Sequence, residues 1–134
     1  MVRYTGKNGT EYVLRFDMSA MEVMKEKYAG GYAEAMKQLN GVNRDIILEI
    51  FLILAQAGEE FVAEEIEHRQ PVQVSGEGLL SKHSSIGRVR AMLKAVEEAI
   101  ADGNRMQTKD EEDDQIRDGY LDELREQERQ KGKN

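Results

Sequence analysis

The segment from Ile46 to Ala55 constrains the fold more than any other part of the sequence, because it is apolar almost all round and Glu49 is its only charged residue. A helix that faces solvent has only an apolar stripe, so this helix must be covered on most sides. It can be the central helix of one domain, or it can be buried in part by another subunit, because so short a chain has few elements to cover it. Asn43 or Asp45 is the expected N-cap, and Gly58 is expected to interrupt the helix.

Residues 2–16 have the pattern of a β-hairpin. Two runs of β-branched and aromatic residues flank Asn8-Gly9, a dipeptide that supplies the positive φ angles of a tight turn. Tyr12, Leu14 and Phe16 recur at every second position, which predicts one buried face. An isolated hairpin is only marginally stable in water, so this one must pack on helices or pair with another chain.

The rest of the pattern predicts an α+β fold that is mostly α-helical, in which about five helices follow the hairpin. Ser19, with Glu22 three residues later, predicts a capping box at the start of the first helix. Ser84 or Ser85 is the expected N-cap of the last helix, which Gly103-Asn104 is expected to end. The predicted helices span residues 19–29, 32–39, 43–57, 59–69 and 84–101.

Acidic charge is concentrated in the last part of the sequence. Residues 1–108 contain 13 basic and 16 acidic groups, whereas residues 109–134 contain 6 and 10 and include the run Asp110–Asp114. We therefore expect a compact domain over 1–108 and an acidic tail over 109–134. Apolar residues in the tail recur at a spacing typical of an amphipathic helix that becomes ordered against a partner; they are Ile116, Tyr120, Leu121 and Leu124.

Composition excludes several classes of function. The chain has no Cys, which rules out disulfides, thiolate zinc sites and cysteine nucleophiles. The net charge of −7 argues against a general nucleic-acid binder, which needs clustered cations against phosphates. No run approaches 18 apolar residues and no basic start leads into an apolar stretch, so we expect neither a membrane span nor a cleavable signal peptide.

No constellation of residues indicates catalysis, so we expect no enzymatic activity, no cofactor and no metal. Glu65 and His68 have the helix spacing of carboxylate di-iron sites, but such sites need a second copy of the motif and further carboxylates. Ser84 and Ser85 follow His83, but a catalytic triad also requires an orienting acid and convergence in space.

Two groups of side chains remain candidates for contact with partners. Arg88, Arg90 and Lys94 on the last predicted helix form either a solvated face or a dock for the acidic tail. Four of the seven methionines lie at or near the first two predicted helices. Flexible Met side chains either fill an irregular core or form a surface that adapts to varied partners, and both interpretations stay open. These residues are Met18, Met21, Met24 and Met36.

Several features follow one another in the order found in a known family. The strand 12–18, Tyr-Val-Leu-Arg-Phe-Asp-Met, is followed by the turn 26–31, Glu-Lys-Tyr-Ala-Gly-Gly, and by the segment 32–36. The apolar third helix then closes with Ala57–Glu60, and the last helix ends with residues 97–103. This order resembles that of the tail assembly chaperones of long-tailed phages, over about residues 10–104.

The resemblance implies a non-enzymatic assembly factor in the cytoplasm of a bacterial host, absent from the mature virion. Such proteins bind the tape measure protein and keep it soluble until the tail tube polymerises around it. A longer form made by ribosomal frameshifting recruits the tail tube protein in many phages. We expect a homo-oligomer and no contact with nucleic acid or membrane. The candidate contacts for the tape measure protein are Met21, Met24, Tyr28 and Met36, with Ile86, Val89, Leu93 and Val96 as a second surface.

Two other functions compete with this one. An acidic interaction or inhibitor protein of the DNA-mimic type would act through Asp110–Asp114 and through helix carboxylates. A structural tail or neck subunit would instead persist in finished virions. The helix carboxylates of the first alternative are Glu59, Glu60, Glu64, Glu65 and Glu67.

Overall fold

The computed structural model describes residues 1–105, and it confirms the predicted class, an α+β fold that is mostly helical. An N-terminal antiparallel hairpin precedes the helices. The predicted tail over 109–134 and its boundary near Thr108 lie outside the described residues. The strands are β1, Val2–Thr5, and β2, Glu11–Leu14; the helices are α1, Met18–Lys27, α2, Gly31–Leu39, α3, Arg44–Phe61, and α4, Ile86–Arg105, and a π-helical segment, Val62–Glu67, continues α3.

The hairpin packs one face onto α3, as the alternation predicts. Tyr4 pairs with Tyr12 across the two strands, and Gly9 in the turn has a φ of 81°. Both tyrosine rings pack edge-on against the ring of Phe51. The Tyr4 centroid lies 5.1 Å and the Tyr12 centroid 5.3 Å from the Phe51 centroid. Leu14 on the same face is buried. The strand pair is thus held by aromatic contact with the helix and not by its own hydrogen bonds alone.

Helix α3 is the centre of the core. Ile47, Ile50, Phe51 and Leu54 are fully buried on it. The hairpin, α1, α2 and α4 all contact α3 and cover much of it, while Ile46, Leu48 and Leu52 remain half-buried. Burial of part of this helix by another subunit stays a prediction.

The prediction that Gly58 interrupts the third helix is wrong, and so is the prediction that Gly103-Asn104 ends the last one. Both glycines lie inside continuous helix. A Cβ at Gly58 would overlap the carbonyl oxygen of Val13, and a Cβ at Gly103 would overlap that of Phe16. These glycines let two helices approach the backbone of the hairpin closely. The helices predicted over 43–57 and 59–69 are therefore one helical rod, which ends at His68 in the left-handed conformation.

Side-chain caps fix where the helices begin. Asn43 caps α3 and Ser85 caps α4, in agreement with two of the predicted caps. The capping box at Ser19 is wrong, because the carboxylate of Asp17 accepts the hydrogen bond from the Ala20 amide at 3.1 Å. α1 consequently begins one residue earlier than predicted.

Among residues 1–105, no helix combines the length and the apolar character needed to cross a membrane.

Candidate functional site

Residues 68–85, which we call the connector, run back along α3 after the π-helical segment and are fixed to it by side chains. The amide of Gln56 accepts a hydrogen bond from the Val74 N–H at 2.8 Å and donates one to the Val72 carbonyl at 3.0 Å. Both polar ends of one side chain are thus satisfied by one stretch of backbone. This pairing holds the connector parallel to the helix surface at a fixed position.

The carboxylate of Glu59 fixes the start of the connector. It accepts two hydrogen bonds from the guanidinium of Arg69, at 2.7 and 2.8 Å, and a third from the Val72 N–H at 2.8 Å. Arg69 also donates to Glu67 at 2.6 Å. The hydrogen bonds from Arg69 hold the pKa of Glu59 below its ordinary value. The charged carboxylate of Glu59 therefore joins α3 to the connector through hydrogen bonds.

An open groove of about 320 Å³ runs between the connector and α1, with α3 as its floor. Ser19, Val23 and Lys27 recur every four residues and line one wall. The opposite wall is made by the connector at Gln73 and Val74. The floor is formed by residues of α3 between Glu49 and Glu60, about 16 Å at 1.5 Å per residue; its apolar members are Leu52, Ile53 and Ala57.

The walls of the groove combine apolar centres with polar rims. Val23 and Leu52 are half-buried and pack against the core with one side only. The rim carries Lys27, Glu49 and Glu60, and the Ser19 hydroxyl donates to Glu60 at 2.8 Å. An apolar floor with a charged rim fits the apolar face of an amphipathic helix, since the partner's polar flanks then meet the rim.

Tyr28 lies buried beside this rim. Its hydroxyl has no hydrogen-bond partner among residues 1–105. Burial, followed by the charge of Glu49, raises the pKa of Tyr28 to about 12. The carboxylate is close enough to act electrostatically but lies outside hydrogen-bonding geometry. Tyr28 is thus a neutral core residue at any ordinary pH.

A second, larger cleft of about 600 Å³ lies between the hairpin and the connector. Asn8 donates to the Tyr12 hydroxyl at 3.0 Å and to the Glu77 carbonyl at 3.1 Å, and the Tyr12 hydroxyl donates to the Ser75 carbonyl at 2.9 Å. These bonds tie the turn of the hairpin to the connector. The walls are more polar than those of the groove, and their carboxylates belong to Glu11, Glu59, Glu67 and Glu77.

The structure divides the predicted partner contacts between core and surface. Met24 and Val96 are fully buried and Tyr28 is nearly so, so none of the three offers a surface in this conformation. That is a correction to their assignment as contacts, and it favours the core-filling interpretation of Met24. Of the other predicted contacts, Met21, Met36, Val89 and Leu93 are half-buried and Ile86 is exposed.

Sequence reasoning missed the residues that line the groove. Val23, Leu52 and Val74 come from three separate segments, and only packing brings them together. The one available sequence signal is the four-residue spacing of Ser19, Val23 and Lys27, which places these three side chains on one face of α1. The methionines of α1, which the sequence favoured as contacts, lie on other faces of the same helix.

The residues that the sequence offers for catalysis or metal binding either form hydrogen bonds within the fold or are exposed. The Ser85 hydroxyl accepts a hydrogen bond from the Arg88 amide, and the Ser84 hydroxyl accepts one from the Ser81 amide at 2.8 Å. Within residues 1–105, no three His, Asp or Glu side chains converge as a metal site, and Glu65 and His68 are both exposed. Three of the five helix carboxylates considered for a DNA mimic are engaged within the fold; they are Glu59, Glu60 and Glu67.

No protein-family model, curated protein or solved structure matches this chain. The grounds for a function are therefore the groove and the resemblance over residues 10–104.

Proposed function

We propose that this protein is a non-enzymatic phage tail assembly chaperone that binds the tape measure protein and keeps it soluble for assembly of the tail tube. The observation that carries the proposal is the groove between α1 and the connector. It leaves Val23 and Leu52 half-buried beside fully or nearly buried residues of α3, so apolar surface is accessible along its floor and one wall. A chaperone for a helical partner needs an apolar surface of this kind.

Helix-in-groove packing is the mode of binding that the groove supports. A tape measure helix would place large apolar side chains between Val23 and Val74, against Leu52. The rim charges at Lys27, Glu49 and Glu60 would orient the polar flanks of that helix. The net charge of −7 would keep the complex dispersed through like-charge repulsion.

The wider setting belongs to the same proposal. The protein would act in the cytoplasm of a bacterial host and would be absent from the mature virion. It would assemble as a homo-oligomer, and a longer frameshifted form would recruit the tail tube protein. Contact with nucleic acid is not part of this role.

Co-expression with the tape measure protein of the same phage or prophage, followed by a tag pull-down, tests the proposal. The wild-type chain should retain the tape measure protein in the soluble fraction. Val23→Glu should lower the retained amount by about tenfold, because it places a charge on the apolar wall, where one unpaired polar contact costs about 1–3 kcal/mol. If the tape measure protein precipitates with the wild-type chain, the proposal fails.

Met18→Glu is the matched control for Val23→Glu. Met18 lies on the same helix and is 66% exposed, but it does not line the groove. The control should retain the tape measure protein as well as the wild type does. Equal losses in both variants would point to the charge of α1, and not to the groove.

A further inference from the structure

One flank of α4 combines exposed apolar side chains with charges of both signs. Its residues recur at spacings of three and four, which keeps them on one face of a helix. Ile86 is 70% exposed and Leu93 is half-buried, and the other three side chains are exposed. We call this row the α4 flank; it consists of Ile86, Arg90, Leu93, Glu97 and Ala101.

Charge is distributed unevenly along α4. Residues 86–94 contain three cations and no carboxylate, whereas residues 95–105 contain three carboxylates and one cation. The dipole of a helix favours the opposite order, with carboxylates near the start and cations near the end. The charges of α4 therefore gain nothing from the dipole of their own helix. The cations of the first half are Arg88, Arg90 and Lys94, and the carboxylates of the second half are Glu97, Glu98 and Asp102.

The charges of the α4 flank have no ion-pair partner within the described chain. Neither Arg90 nor Glu97 forms an ion pair with a described residue. Lys94 precedes Glu97 and Glu98 by one turn, which is the weaker orientation of a helical pair because the cation is nearer the start. Arg90 has no carboxylate within one turn, since the positions three and four residues away are Ile86, Gly87, Leu93 and Lys94.

A second copy of α4 supplies the complementary charges. Let two such helices lie antiparallel, with a two-fold axis between Leu93 and Lys94. Arg90 of each copy is then opposite Glu97 of the other, so the same ion pair forms twice. Ile86 lies opposite the small side chain of Ala101, and the two Leu93 side chains meet near the axis. One contact thus neutralises the flank and covers its most exposed apolar side chain.

We propose that two copies of this protein pair through the α4 flank, antiparallel about a two-fold axis. The contact goes beyond the proposed function, because it gives the homo-oligomer an interface and does not depend on the tape measure protein. It covers Ile86 and Leu93, which the sequence assigns to a second surface for that protein. A single helix pair is smaller than the interfaces of about 1,200–2,000 Å² that stable complexes bury, so we expect a Kd in the micromolar range.

Sedimentation equilibrium of the full chain, from about 1 to 500 µM, measures this Kd. Arg90→Glu alone, or Glu97→Arg alone, should raise the Kd at least about tenfold, because both ion pairs of the contact become repulsive. An equimolar mixture of the two variants should form a heterodimer with a Kd within about threefold of the wild type. Each variant then carries the charge that the other lacks. Both residues are exposed, so neither change removes a core contact.

Lys25→Glu and Glu26→Arg are the matched controls. They change the net charge by the same amounts at exposed positions of α1, a helix without contacts to α4 in the described chain. Alone or mixed, these controls should dimerise as the wild type does.

Disulfide trapping tests the antiparallel alignment, because the natural sequence has no Cys that could interfere. Lys94→Cys places a thiol beside the axis in both copies. It should form a disulfide-linked dimer at least about tenfold faster than Met18→Cys, an exposed position on α1, because pairing raises the effective concentration of the thiols.

Four results would each overturn the proposal. They are a wild-type chain that stays monomeric up to about 500 µM, a dimer that is insensitive to Arg90→Glu, a mixture that does not recover the dimer, and equal rates for the two Cys variants. All these measurements use the purified chain alone. Their failure is therefore distinguishable from a failure of the pull-down with the tape measure protein.

Discussion

The buried hydroxyl of Tyr28 lowers the stability of the fold at alkaline pH. Its hydroxyl is buried without a hydrogen-bond partner among the described residues, and its pKa is raised to about 12. The folded chain therefore keeps a proton that the unfolded chain releases at about pH 10. Stability from this group is full below pH 10 and is lost as the pH rises towards 12, at up to about 1.4 kcal/mol per unit.

We expect Tyr28→Phe to remove this part of the alkaline instability. Below pH 10 the variant should be as stable as the wild type or more stable by up to about 1 kcal/mol, because an unsatisfied hydroxyl is lost. Urea unfolding followed by circular dichroism between pH 7 and 11 measures both effects. A variant that loses stability above pH 10 as steeply as the wild type would contradict the assignment.

The contribution of Glu59 to the stability of the fold depends on pH in the opposite direction. Its pKa is lowered by Arg69, so its contribution to stability is present above its ordinary pKa of about 4.5 and is lost on acidification. Glu59→Ala should free the start of the connector, and hydrogen exchange at neutral pH should become faster at the Val72 amide. Glu64→Ala, at an exposed position of the π-helical segment, is the control and should leave that exchange unchanged.

At the scale of elements, the junction between the hairpin and the helices depends on glycines. Gly58→Ala should destabilise the fold by about 1–3 kcal/mol, because the added methyl group meets the Val13 backbone. Gly87→Ala in α4 meets no atom within 4 Å and should be neutral or stabilising by up to about 1 kcal/mol. Chemical denaturation gives the free energy of unfolding of both variants. Equal changes at Gly58, which contacts the Val13 backbone, and at Gly87, which has open space around it, would refute the role given to Gly58.

Local patterns predicted which elements form, but not how glycine is used in them. The Asn8-Gly9 turn, the alternation of the second strand and the cap at Asn43 are short-range signals, and the structure bears them out. Gly58 and Gly103 carry the same local signal as a helix stop. Their actual role depends on the backbone of residues far away in sequence, which a local pattern does not contain.

At the scale of the whole molecule, periodicity predicted apolar faces without showing which face is covered. Met24 and Val96 belong to such faces and lie in the core, whereas Ile86, which is predicted on the same second surface as Val96, is exposed. The groove is formed by α1, α3 and the connector, so its existence depends on the tertiary arrangement. The sequence pattern around each residue of the groove therefore gives only a weak indication of it.

Methyl NMR of the protein, titrated with the tape measure segment retained in the pull-down, reports on the groove residue by residue. If the groove receives an apolar helix of the tape measure protein, the methyl signals of Val23, Leu52 and Val74, which line it, should shift or broaden. The signals of Val42, which is exposed outside the groove, should stay unchanged. Unchanged signals in the groove, with changes confined to other surfaces, would refute this mode of binding.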